Sequence, residues 1–117
     1  ATLKPWRAAV TRMAQAAWLD RPQLEGVAVE VEAVFVFERP ATVRRERPSV
    51  KPDLDKLVRA VFDGVTDAGL WKDDGQATRL VSEKCYGRAP GVHVTVRQLS
   101  GDSPTRGERW LAEKEQW

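Results

Sequence analysis

Apolar positions along this 117-residue chain recur with two periods, and each change of period marks an element. "KPWRAAVTRMAQAAWL" has helical spacing, and its pattern predicts a helix from about Pro5 to Leu19. Pro5 suits a first helical turn, and Val10, Met13, Ala14, Ala17 and Trp18 would form the buried stripe. Asp20, Arg21 and Pro22 then break the helix. Residues 27–37 change to a period of two, with Val27, Val29, Val31, Ala33, Phe35 and Phe37 on one face of a strand. Its other face begins polar with Glu30 and Glu32 and turns apolar at Val34 and Val36, which predicts an end covered on both sides. After an irregular stretch, Leu54, Leu57, Val58, Val61, Phe62 and Val65 return to helical spacing. Asp53 stands at the N-cap of this helix and Gly69 just past its end. Two further strands are expected at roughly 76–87 and 91–98, joined as a hairpin by "RAPG". Val92, Val94 and Val96 would mark the inner face of the second of them.

The order α-β-α-β-β describes a small α/β domain of the α+β type. One mixed or mostly antiparallel sheet would pack against two helices over residues 1–100. The polar tail 101–117, "GDSPTRGERWLAEKEQW", is expected to end in a short helix. Hydrophobic residues make up 42% and charged residues 31%, the balance of a globular chain with one core. Cys85 is the sole cysteine, so no intramolecular disulfide can form, and a cytoplasmic setting is expected. No apolar run approaches the ~20 residues of a membrane span, and "ATLKPWRAAV" lacks the layout of a signal peptide.

The net charge of +2 is too mild to identify a partner, so the distribution of charge has to decide. Residues 38–52, "ERPATVRRERPSVKP", contain five basic residues and three prolines and read as an exposed loop. Directly after it comes "KPDLDKLVRAVFDGVTDAGLWKDDGQ", where aspartates crowd together. Asp53 and Asp55 flank Leu54, and Asp73 and Asp74 precede Gly75. Each pair has a structural explanation, because carboxylates cap helix N-termini and Asp-Gly forms turns. Residues two apart on a helix point to nearly opposite sides, so Asp53 and Asp55 converge only if Asp53 lies outside the helix proper. Such a helix mouth suits Mg²⁺, which takes one or two carboxylates, keeps several waters and accepts a phosphate. A strand starting near Gln76 and running back beside the helix would bring Asp73 or Asp74 toward the same end. Arg44, Arg45, Arg47 and Lys51 upstream, with Lys56 and Arg59 downstream, ring these acids with cations. An acidic centre ringed by cations is what metal-assisted phosphodiester cleavage needs.

The stretch "KPDLDKLVRAVFDGVTDAGLWKDDGQATRLVSEKCYG" resembles the RusA family of Holliday-junction resolvases. The likeness lies in a Pro-Asp-x-Asp start to a helix, an Asp-Asp-x-Gln turn about twenty residues on, and a strand ending near a lysine. It is close over about 48–97. The resemblance implies that Asp53, Asp55 and Asp74 are metal-binding catalytic carboxylates, with Asp73 as a helper. It implies a catalytic cation at Arg59, where the family usually has Lys, while Lys56 replaces the family's usual Asn. It further implies Mg²⁺, with Mn²⁺ as a substitute, and a homodimer making paired nicks in a Holliday junction. Arg44, Arg45, Arg47, Lys51 and Lys56 would contact the DNA. Two readings stand beside it: a nucleic-acid-binding module with this fold but no turnover, and an interaction domain whose acids are only caps and turns. His93 and Cys85 read as ordinary strand residues. Trp6 and Trp18 are expected to pack the first helix, Trp71 to be core or to stack on a base, and Trp110 and Trp117 to serve dimerisation.

Overall fold

The computed structural model describes residues 3–99. The expected tail helix and the roles of Trp110 and Trp117 fall outside them. Helix α1 spans Lys4–Ala17, with Pro5 in its first turn. Strand β1 is Val29–Phe37, helix α2 is Leu54–Asp67, and strands β2 and β3 are Ala77–Tyr86 and Gly91–Gln98. A single 3₁₀ turn at Asp74–Gln76 leads into β2.

The three strands form one mixed sheet in the order β2-β1-β3. β1 pairs with β2 in parallel and with β3 antiparallel. The hairpin expected at "RAPG" is therefore absent. β2 and β3 flank β1 on opposite sides, and residues 87–90 step across its C-terminal end, where the Gly87 amide donates to the Phe37 carbonyl at 2.9 Å. The reason is burial. β1 carries the most apolar alternation in the chain, with Val29, Val31, Ala33 and Phe35 fully buried, and the central position of a sheet is the most enclosed.

Both helices pack on one face of the sheet. The stripe foreseen on α2 points inward, with Leu57, Val61 and Val65 buried against β1. Each of these side chains contributes about 1.5–3 kcal/mol through apolar area removed from water. A second line on α2, Ala60 and Gly64, meets α1. A Cβ on Gly64 would stand 2.9 Å from the Arg7 carbonyl oxygen and from Val10 Cβ, so the helices approach as closely as they do only because that side chain is missing. Past the helix end, Gly69 adopts φ +74° and turns the chain, and Leu70 and Trp71 drop into the core. Trp71 is completely buried, its ring edge against Phe62 and its indole N–H donating to Thr66 Oγ1 at 2.7 Å. It is a core residue and has no face left for a base.

On α1, Val10 and Ala14 are buried as expected, and Trp6 packs on Phe35 and Phe37. Met13, at 43% exposure, and Ala17 are not covered. They lie on the next line round the helix, over the margin of β3, where a three-strand sheet has run out. On the open face of the sheet, Glu30 is buried between Arg79 at 3.0 Å and Arg97 at 2.6 Å, so a buried carboxylate ties all three strands together.

Candidate functional site

The β1–α2–β2 connection decides where each acid stands. α2 starts beyond the C-terminal end of β1 and carries the chain back about 20 Å, at 1.5 Å per residue, to the N-terminal end of the sheet. Two contacts fix the ends. At the far end, Leu24 and Trp71 form a parallel bridge just before β1, and Gln76 Nε2 donates to the Val27 carbonyl at 3.1 Å. At the near end, Lys84 Nζ in β2 donates to the carbonyls of Val50 (2.6 Å) and Pro52 (2.9 Å), immediately before Asp53.

Asp53 and Asp55 therefore sit at the mouth of α2, and Asp73 and Asp74 sit at its opposite end, on the order of 20 Å away. The expected convergence of all four within the chain does not occur. β2 does run back beside the helix, but Asp73 and Asp74 precede its start, and it is Lys84, near its other end, that bonds to the segment before Asp53. Among the described residues, no three His, Cys, Asp or Glu side chains group closely enough to hold a metal ion. One chain thus offers Mg²⁺ the pair of carboxylates at the α2 mouth, which is within the one or two that this ion takes.

The two motifs differ in how their acids are used. Asp53 has the extended backbone of an N-cap (φ −69°, ψ 141°), but its side chain makes no capping bond. Its exposed carboxylate instead lies 3.9 Å from Lys56 Nζ. Asp55 follows in the first turn, exposed, at a hollow of about 340 Å³ between α1 and α2 that Lys56 and Arg59 also line. Asp73 is spent on structure. Its Oδ1 accepts from the Gly75 amide at 2.9 Å, and Gln76 Oε1 accepts from the Asp73 and Lys72 amides, both at 3.1 Å. That box holds the turn and leaves Asp74 exposed with no side-chain partner among the described residues. Asp-Asp-x-Gln thus reads physically as a presenting turn: Asp73 and Gln76 build it, and Asp74 is displayed.

The basic loop is partly tied down. Arg45 Nε donates to Tyr86 Oη at 3.0 Å, Arg47 lies 3.5 Å from Glu83, and the Arg39 guanidinium sits 5.1 Å from the Tyr86 ring centre. Arg44 and Lys51 are exposed and have no carboxylate partner among the described residues. Below the hollow, Arg7 grips Asp67 through two bonds of 2.6 and 3.0 Å. The hydrogen bond from Arg7, followed by its charge, holds the Asp67 carboxyl below its ordinary range, and Asp67 in turn raises Arg7. Lys84, Tyr86 and Gln76 were not among the expected site residues. The signal was available for two of them: Lys84 and Tyr86 are polar residues two apart on the helix-facing side of β2, at the end next to the loop.

A family model described as endodeoxyribonuclease RusA matches residues 1–97. The chain is also 39% identical over 54 residues to the uncharacterized protein YqaN of Bacillus subtilis, covering 46% of this chain and 37% of that relative. It therefore spans little more than a third of that relative's length. Among the described residues, no helix is long and apolar enough to cross a membrane.

Proposed function

Because the chain belongs to the RusA endodeoxyribonuclease family, we propose that it hydrolyses DNA phosphodiesters at Holliday junctions, with Mg²⁺ or Mn²⁺ held at the α2 mouth. What carries this reading is Asp53. It occupies a helix N-cap, makes no capping bond, and keeps its carboxylate exposed 3.9 Å from Lys56 Nζ, two residues before Asp55 and directly after a loop rich in arginine. An acid whose only task was to cap would be expected to bond to the free amides of the first turn.

In this reading Asp53 and Asp55 hold the ion. When bound, it supplies a more acidic water and a positive charge beside the leaving oxygen. Arg59, four residues after Asp55 on the same helical line, presents a planar fork to the phosphate oxygens, and Lys56 adds a second cation. The water oxygen bonds to phosphorus, the bond from phosphorus to one deoxyribose oxygen breaks, the water's proton passes to solvent, and the leaving deoxyribose oxygen takes a proton from solvent. No protein–DNA covalent intermediate is needed. Since Asp74 of the same chain is about 20 Å away, the third carboxylate is assigned to Asp74 of the partner subunit. The functional unit is then a homodimer with two-fold symmetry, matching a substrate that offers two equivalent strands for paired nicks.

The test is nicking of a synthetic four-way junction with Mg²⁺. Asp53→Asn and Asp74→Asn should each abolish cleavage while junction binding in EDTA stays within a few fold, because each change keeps shape and removes repulsion toward phosphate. Full cleavage by either variant would remove that residue from the site. Junction binding without cleavage by the unmodified protein would instead favour the binding-module reading.

A further inference from the structure

At the C-terminal end of the sheet, Tyr86 holds two arginines of the basic loop at once. Arg45 Nε bonds to its hydroxyl at 3.0 Å, and the Arg39 guanidinium lies over its ring at 5.1 Å. Arg88, two residues on, shares with Arg39, Tyr86, Gly87 and Glu38 an open depression of about 430 Å³. Position 87 fixes the spacing. A Cβ there would meet Val36 Cγ1 at 2.7 Å, so the chain crosses the end of β1 at a distance only glycine permits, and Arg88 is delivered to the same side as Arg39.

These cations differ from others nearby. Arg47 is paired with Glu83, and Lys84 is committed to the carbonyls of Val50 and Pro52. Neither Arg39 nor Arg88 has a carboxylate partner among the described residues, and Glu38 is the only acid lining the depression. A guanidinium resting on an aromatic face keeps its in-plane N–H donors free, which is the geometry that receives a phosphate in two bonds. The same Tyr86 also lines, with Arg45, Lys51, Pro52 and Lys84, a pocket of about 150 Å³ that reaches the residue before Asp53. The two hollows share Tyr86 and Glu38, and Arg39, Arg45, Lys51, Lys84 and Arg88 line them as a track from the α2 mouth to the far side of the β1 end.

We propose that Arg39, Arg45 and Arg88, positioned by Tyr86, bind the backbone phosphates of a duplex DNA arm leading away from the α2 mouth. The inference rests on that mouth as the place of cleavage, yet its test needs no cleavage. Binding of a linear duplex is followed by fluorescence anisotropy in EDTA, between about 50 and 200 mM salt. For Arg39→Ala/Arg88→Ala, the log–log salt slope should fall by about 1.8, at roughly 0.9 per lost phosphate contact. Tyr86→Leu, which removes both the ring and the hydroxyl, should weaken binding several fold and lower the slope. Tyr86→Phe, which keeps the ring under Arg39 and loses only the Arg45 bond, should fall between Tyr86→Leu and the unmodified protein. An unchanged slope in the double arginine variant overturns the proposal, as does an unmodified protein that does not bind duplex. Should Tyr86→Leu fail to fold, the double variant still decides, since both of its side chains are exposed. A protein that binds duplex through this track but never nicks a junction would sink the nuclease reading and leave the track standing.

Discussion

Mixing two inactive variants is expected to restore activity, and the amount restored follows from the fold. Asp53 and Asp74 stand at opposite ends of a 14-residue helix, about 20 Å apart, too far to share one ion within a chain. If each site combines Asp53 and Asp55 of one chain with Asp74 of the other, then Asp53→Asn and Asp74→Asn homodimers are both dead. In a mixed dimer the lesions fall together. One site carries both substitutions, and the other has Asp53 from one chain and Asp74 from its partner, both intact. Random exchange makes half the dimers mixed, each with one good site of two, so about a quarter of the unmodified activity should return. The assay is nicking of a four-way junction with differently labelled strands, after subunit exchange verified by sedimentation. Products should be single nicks, because a mixed dimer has nothing with which to cut the second strand. If every site lay within one chain, each chain in the mixture would carry a lesion. No activity above that of the separate variants, with exchange demonstrated, refutes the shared site.

Three further outcomes are expected. Gly64→Ala forces a Cβ to within 2.9 Å of the Arg7 carbonyl and Val10. Overpacking of about 1–3 kcal/mol should outweigh a helix-propensity gain of up to about 1 kcal/mol and lower the melting temperature by several degrees. Lys84→Met deletes the two bonds to the Val50 and Pro52 carbonyls. The expected cost is about 2 kcal/mol in thermal or chemical denaturation, with nicking reduced further because the segment before Asp53 is released; unchanged stability and activity would make those bonds incidental. For Asp67, the carboxyl is held below its ordinary range by Arg7, so its contribution is present above the unfolded value and lost as pH falls through the folded one. Asp67→Asn should therefore lower the melting temperature slightly at neutral pH, and the gap should close well below pH ~4, where the unmodified carboxyl is also neutral. A gap that persists in acid would assign the effect to packing.

Helix α2 was the most legible element, because six apolar residues on one line leave no alternative packing, and its cap and stop residues stand where propensity places them. β1 was legible for the same reason. Pairing was not. A short Gly/Pro-containing link between two strands ordinarily means a hairpin, and nothing local reveals that β1 will insert between β2 and β3. The stripe on α1 failed in part because helical spacing says which residues share a line and not how wide the sheet beneath will be. At the site, the paired aspartates stood out from spacing alone. Their separation did not, since it depends on β2 lying parallel to β1, which puts the start of β2 at the distant end. Lys84 entered only as the lysine at the strand end of the family pattern, and neither its role nor that of Tyr86 was foreseen, because their partners are backbone carbonyls and an arginine remote in sequence.

The way the basic loop is fastened bears on how its substrate preference can diverge. Lys84 secures residues 50–52 and Tyr86 secures Arg45, while a turn closed by the Val43 amide on the Pro40 carbonyl stands between the end of β1 and Arg45. Residues 40–44 form a cassette whose ends are set by β1 and β2 rather than by its own length. Doubling such a segment costs only about 0.6 kcal/mol in closure entropy. If the loop contacts DNA as proposed, insertions there would change which DNA shapes it can follow and leave the carboxylates at the α2 mouth undisturbed.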